Sequence, residues 1–375
     1  MTPKERVKAA MNLEKTDKIP LMCQFSIGHM LMQVDVPPVE LWFDKDAFTN
    51  SLIELRDIYD FDGILISLHG HDPNWKNDVV SSNKIKEIIE VELVNGDKII
   101  FPKNDLPYYD YYFVKEKFSI SEMDFSDLPK ALDYIPVSNN LHFKINQNFK
   151  FDAITDLISS VGSKYSIHGE ITSPFDYFLD LFGYQDGLMA LMMEPEKCEY
   201  VLSHFTKLIT KLSLEMCETG VDAIKISSPF AGSGFISPHD YKKFVLPFES
   251  EIAKSVRQKG VHIYTHTCGA IGDRLESLFD SGISGIECLD PPPLGNVLLE
   301  NAKERIGKRG FIKGNIDSVN TLLNGSEDDI IKDVQNRIKI GSKDGGFILS
   351  TACSIAPEVK REKIQLLRKI VDNKI

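Results

Sequence analysis

PHDYKKFVLPFESEIAKSVRQKGVHIYTHTCG, residues 238–269, reads as a helix running into a strand. Proline opens the amphipathic stretch Pro238–Lys259, Gly260 ends it, and the apolar run Val261–Cys268 follows and closes on polar residues. The same unit recurs on both sides. Ile19–Ser26, Asp62–Gly70, Tyr165–Ile171, Asp222–Ser228, Gly285–Leu289, Gly310–Ile316 and Gly346–Cys353 are also strand-like runs, which makes eight in all. Several are apolar along most of their length, as parallel strands covered on both faces are. Val39–Tyr59, Pro195–Thr219, Asp273–Ser281 and Pro357–Asn373 read as further helices. Eight strands alternating with helices predict an α/β fold, a (β/α)8 TIM barrel built by residues 1–375 as one domain. A doubly wound open sheet is the competing topology. No G-x-G-x-x-G follows the first run, which weakens its dinucleotide-binding version.

Residues 72–150 break the alternation. Ile85–Leu93, Asn95-Gly96 and Lys98–Phe101 form a hairpin pattern with a preferred turn pair, and the aromatic segment Pro107–Phe113 follows. This predicts a β-rich insertion after the second strand, leaving from the face of the barrel where active sites sit. It reads either as a packed surface elaboration or as a lid or partner platform at the mouth.

Composition removes several functions. The 43 Lys and Arg against 55 Asp and Glu give a net charge of −12 over 375 residues, the wrong sign for a nucleic-acid binder. No run is long and apolar enough for a membrane span, and Met1–Lys18 has no apolar signal core, so the expectation is a cytoplasmic enzyme. Six cysteines are too few for a disulfide scaffold. Nine arginines are present, none between Arg56 and Arg257.

The chemistry concentrates at His262–Gly269. His266 and Cys268 are two apart at a strand end, so they point to one side, and together they form half of a tetrahedral zinc site. The opposing reading, a packed histidine beside an inert thiol, stands on the same two residues. Cys353, at the end of the last strand, is the candidate third ligand, because barrel strand ends converge on one mouth. Glu287 is the candidate fourth. Alternation turns its neighbour Cys288 toward the helix layer as a packed thiol, and His262 reads as an interior or bottom-face histidine. Other strand-end residues suggest a polar, substrate-binding rim: His29, His69, His71, Glu170, Tyr177, Ser228, Asn315 and Asp317. His142 and His239 read as surface residues.

His-Thr-Cys-Gly after an apolar strand resembles the uroporphyrinogen decarboxylase superfamily. So do Gly-Val-Asp-Ala-Ile-Lys-Ile-Ser (220–227), Ile-Ser-Pro-His-Asp-Tyr (236–241), Lys-Gly-Asn-Ile-Asp (313–317), Thr-Pro-Lys-Glu-Arg-Val (2–7) and Asp-Lys-Ile-Pro (17–20). The resemblance covers nearly the whole chain outside 72–150 and implies the same barrel. Within the superfamily, His266-x-Cys268 with a late Cys353 is similar to the zinc ligand set of the cobamide-dependent methyltransferases. That resemblance implies a zinc ion, with Glu287 as a resting ligand that yields to substrate and so acts in catalysis. It also implies methyl exchange between a corrinoid (cobalamin) and a small-molecule donor or acceptor, a thiol or a methoxylated or methylated compound. No Asp-x-His-x-x-Gly corrinoid module is visible, so the corrinoid is expected on a separate corrinoid protein. The reading includes no nucleic acid and no membrane partner, and it admits a homodimer. A metal-independent decarboxylase-like lyase and a non-catalytic binding protein are the alternatives. The arginine gap weighs against the first, because arginine is the natural bidentate partner of a carboxylate-rich substrate.

Overall fold

The structure, a computed structural model, describes residues 1–112, 119–138 and 140–374. Its strands are β1 (Gly63–Ile66), β2 (Val79–Ile85), β3 (Ile88–Leu93), β4 (Lys98–Phe101), β5 (Tyr108–Asp110), β6 (Tyr134–Ser138) and β7 (Leu141–Lys144). Then come β8 (Ser166–Thr172), β9 (Ala223–Ser227), β10 (His262–Thr267), β11 (Gly285–Cys288), β12 (Phe311–Ile316) and β13 (Phe347–Thr351). β1 and β8 to β13 pair in chain order, all parallel, into a seven-stranded curled sheet flanked by helices, a TIM-barrel-like α/β fold.

The first expected strand, Ile19–Ser26, is reduced to two isolated parallel bridges, Leu21 with Leu349 and Phe25 with Ile355. The reason is local. Pro20 has no N–H to give, and the Leu21 amide is taken by the Asp62 carboxylate at 2.8 Å. The Leu21 carbonyl still accepts from the Asp62 amide at 2.8 Å, and the Met22 amide donates to Leu349 at 2.9 Å. The segment therefore lies between β13 and β1 and closes the ring. Asp62 holds this seam with two buried arginines, Arg6 at 2.6 Å and Arg368 at 2.7 Å.

Alternation divides the barrel strands into two faces. Ile224, Ile226, Ile263, Ile286 and Ile312 are fully buried in the main core with the surrounding helices. At one end of the barrel, Met22, Leu65, Ala223, Tyr264, Phe311 and Ile348 form a separate apolar plug with Val7, Ala10 and Met11 of the helix Pro3–Met11. His262 reaches Asn12 at this end, 3.1 Å away, as a bottom-face histidine would.

The described part of residues 72–150 contains a four-stranded antiparallel sheet, β2 to β5, and the antiparallel pair β6–β7. The expected hairpin around Asn95-Gly96 is β3–β4, with Gly96 at φ +86°. Its first arm begins at Ile88, not Ile85, because Lys86 (φ 57°) makes another tight turn and Ile85 pairs back with Ile88. Phe113 lies outside the described residues. Two expected helices are broken. Asp44 interrupts Val39–Tyr59 and caps a new helix through Ala47 N at 2.9 Å. Val245 interrupts Pro238–Lys259, just before Leu246-Pro247 start the next helix. Among the described residues, no helix is long and apolar enough to cross a membrane.

Candidate metal centre

Strand register places the site. His266 of β10 sits opposite Glu287 of β11, which sits opposite Lys313 of β12. Glu170 of β8 sits opposite Lys225 of β9. These side chains meet inside the barrel. The Lys225 ammonium lies 2.7 Å from Glu170 and 3.2 Å from Glu287, and it donates to Gln24 at 2.6 Å. Lys313 pairs with the other oxygen of Glu287. Both lysines and Glu287 are buried. Burial resists charge on Glu287, but Lys225 and Lys313 outweigh it and hold the carboxyl well below its usual range.

His266 stands on this network. Its Nδ1 lies 3.1 Å from Glu287 Oε2, and its Nε2 lies 3.3 Å from Cys268 Sγ. A carboxylate only accepts, so Nδ1 carries the proton and Nε2 is directed at the thiols. Burial and Lys225 disfavour charge on the ring. Hydrogen bonds with Cys268, Cys353 and Glu287 prevail and put its pKa well above the usual histidine value.

Donor atoms of His266, Cys268 and Cys353 all lie within 4.8 Å of one another. β10 ends at Thr267 and Gly269 takes φ +74°, so the chain turns right after Cys268. β13 ends at Thr351, which leaves Cys353 two residues beyond it at the same end of the barrel. The hydrogen bond with Cys268, followed by burial, pushes the Cys353 thiol up to about 12.

Glu287 does not join the three donors as a fourth ligand. It occupies the opposite side of the imidazole, where two lysines hold its oxygens. Cys288 also departs from expectation. Its φ of 87° ends the strand alternation and turns the thiol toward Cys268, with which it and Asp290 form a second close group. Cys288 donates to Asp290 Oδ2 at 3.2 Å, and the same oxygen accepts from Gly269 N at 2.6 Å.

The expected rim is mostly packed. Ser26 caps the helix Ile27–Gln33, which turns His29 inward, fully buried, onto Tyr59 OH at 2.8 Å. His69 is buried, bonded to the Lys150 carbonyl at 2.9 Å and stacked on Phe151. Tyr177 is buried and donates to the Tyr134 carbonyl at 2.7 Å. Asp317 caps the turn that follows it, through Val319 N and Asn320 N. Asn315 is buried between the Leu289 carbonyl, at 2.9 Å, and Arg337. Glu170 belongs to the lysine network, and Ser228 lies beside His266, its amide bonded to the His266 carbonyl at 2.9 Å. His142 is not a free surface residue, because it pairs with Asp180 at 2.9 Å. Lys225 and Lys313 are the residues the sequence reading missed. Alternation carries the signal: Lys225 shares a face with Ala223 and Ser227, and Lys313 shares one with Asn315.

A family model described as uroporphyrinogen decarboxylase (URO-D) matches residues 123–374. The methylcobamide:CoM methyltransferase MtaA of Methanosarcina barkeri is 27% identical over 242 residues, 64% of this chain and 68% of that protein. The uroporphyrinogen decarboxylase of Chlorobium phaeobacteroides is 24% identical over 269 residues, 69% of this chain and 70% of that one. Among solved structures, a methyltransferase from Methanosarcina mazei aligns with a TM-score of 0.72 at 21% identity, over 100% of this chain and 99% of that chain, which is a likeness of fold.

Proposed function

The chain belongs to the uroporphyrinogen decarboxylase (URO-D) family, and within it we propose a zinc-dependent methyltransferase that exchanges a methyl group between a corrinoid on a separate protein and a small molecule. The observation that carries this reading is the convergence of one imidazole nitrogen and two thiols within 4.8 Å at one end of the barrel. The donor set fits zinc. Bonds of about 2.3 Å to sulfur and 2.0–2.1 Å to nitrogen in a tetrahedron put neighbouring donors roughly 3.5–3.8 Å apart, close to the 3.3 Å between His266 and Cys268. His266, Cys268 and Cys353 would hold the metal, whose chemistry is to deprotonate a bound thiol or polarise an ether oxygen. Three protein donors leave one position for substrate.

The chain's own residues prepare that position. Glu287 fixes the His266 tautomer and turns Nε2 to the thiols. Lys225 and Lys313 keep Glu287 ionised and immobile. Residues 72–150 act in this reading as an insertion of a single barrel domain. The hydrogen bonds of Tyr134 and His142 to Asp180, on the helix that follows β8, tie it near the strand ends.

The decarboxylase reading draws support from relatives such as the Chlorobium protein. The arginines oppose it. Arg6 is taken up by Asp17 and Asp62, Arg274 by the carbonyls of Ala231 and Ile236, and Arg337 by Asp333 and Asn315. None of these is left for a carboxylated substrate. The test is metal analysis followed by mixing the protein with methylcobalamin and a thiol, then reduced cobalamin with methyl ethers, under spectral observation. The expected result is about one zinc per chain and a change of cobalt state in one direction. No change with either mixture, or activity on a carboxylated substrate that survives zinc removal, overturns the reading.

A further inference from the structure

A cavity of about 400 Å³ lies between the helix Pro38–Phe43 and the sheets of residues 72–150, apart from the metal centre. It shares no lining residue with His266, the two thiols or the lysine network. Its walls are aromatic. Phe43 stacks on Trp75 at 5.3 Å and 11°, Tyr109 stacks on Tyr111 at 5.1 Å and 12°, and Trp42 meets Phe143 edge-on at 5.3 Å.

Its charge is negative. Asp72, Asp78, Asp97 and Asp133 line it. Lys144 is the one lysine or arginine among the described lining residues, and it already faces Asp78 at 3.4 Å. The donors to Asp72 and Asp97 are neutral, among them the side-chain amides of Asn146 and Asn95, each at 2.6 Å, and the backbone amides of Asn74 and Tyr112. Neutral donors orient these carboxylates without cancelling their charge.

His71 supplies a third, independent feature. It lines the cavity, is 3% exposed, and has no hydrogen-bond partner on either ring nitrogen. It packs edge-on against Phe143 at 4.8 Å. Burial drives its pKa down to about 3, so the ring is neutral and offers one donor and one acceptor. Buried polar groups in native proteins nearly always have partners, so an orphaned imidazole in a cavity wall points to a ligand group.

We propose that this cavity binds a small molecule with a quaternary or tertiary alkylammonium head and a nearby hydroxyl. Aromatic faces attract such a cation through their quadrupoles, and a shell of methyl groups suits an apolar wall. The carboxylates add long-range attraction, and a hydroxyl can pair with either His71 nitrogen, donating to the bare one or accepting from the N–H.

The test titrates the full chain by calorimetry with choline, tetramethylammonium and 3,3-dimethylbutan-1-ol, the neutral carbon isostere of choline. Choline should bind at least about tenfold tighter than the isostere, and Tyr111→Leu should weaken choline by a similar factor. Asp133→Asn, which removes an exposed charge without changing the packing, should weaken both cations and leave the isostere unaffected. His71→Phe should abolish the preference for choline over tetramethylammonium. Equal binding of choline and its isostere, or no binding of either cation at millimolar concentration, overturns the proposal. A choline preference that survives His71→Phe overturns the role given to His71.

Discussion

Glu287 and His266 face each other in register on adjacent parallel strands, with Oε2 of the carboxylate 3.1 Å from Nδ1 of the ring. The sequence suggests a fourth ligand at Glu287; the structure puts its carboxylate on the Nδ1 side of the His266 ring, with Cys268 on the Nε2 side. The imidazole can present only one nitrogen to the thiols, and the carboxylate decides which.

Replacing Glu287 with Gln should therefore cost metal affinity while the three donors remain. Loss of a carboxylate behind a liganding histidine typically weakens binding about 10–100-fold. Competition with a chromophoric chelator measures this directly. Unchanged affinity would remove Glu287 from the site's preparation.

The cysteines should separate cleanly. Cys268→Ser and Cys353→Ser are expected to lose bound zinc and methyl exchange together. Cys288→Ala, which removes the thiol bonded to Asp290, should keep close to the wild-type zinc content. Atomic absorption on the three variants, with circular dichroism to show that each is folded, checks the assignment. A metal-free Cys288→Ala protein would move the centre to the second close group.

Asp62 should be a stability hot spot. It pairs with Arg6 and Arg368 and takes the Leu21 amide. Asp62→Ala leaves two arginines without their buried partner, a defect that costs about 3–5 kcal/mol. Urea unfolding at neutral pH measures it, and a loss under 1 kcal/mol would contradict this role for the seam.

Glu249 gives a pH prediction with a definite sign. It is buried on the helix Leu246–Gln258, and desolvation raises its carboxyl from 4.5 to about 7. The folded state thus holds a proton that the unfolded chain releases. Stability falls as pH rises from about 4.5 to about 7 and is level above that; this group's contribution is about 3 kcal/mol. Glu249→Gln should accordingly stabilise the protein at pH 8 far more than at pH 5. Melting curves at the two values decide, and an equal effect at both would refute the link.

Much of the barrel is legible in the chain because its strands are apolar and their helices begin with proline and stop at glycine. His266 and Cys268 are legible for a related reason: alternation alone puts them on one side. The interior charges are hidden by habit rather than by physics. A lysine suggests solvent, yet Lys225 alternates with Ala223 and Ser227 on the face away from Ile224 and Ile226. Cys288 is beyond the reach of alternation, because positive φ at Cys288 and Leu289 ends the regular strand there. His29 is hidden from a strand-end reading because the segment after Phe25 is a helix capped by Ser26, whose turn carries it inward.

The seam has a consequence for how the protein is made. Leu21 waits for Leu349, and Phe25 for Ile355. A ribosome adds about 5–20 residues per second, so the first staves of this barrel exist on the order of tens of seconds before the last one emerges. During that time the amides and carbonyls of Pro20–Phe25 that later face β13 have no strand to meet. The bonds of Asp62 to Arg6 and to the Leu21 amide join residues that all emerge early, whereas its bond to Arg368 must await the end of the chain.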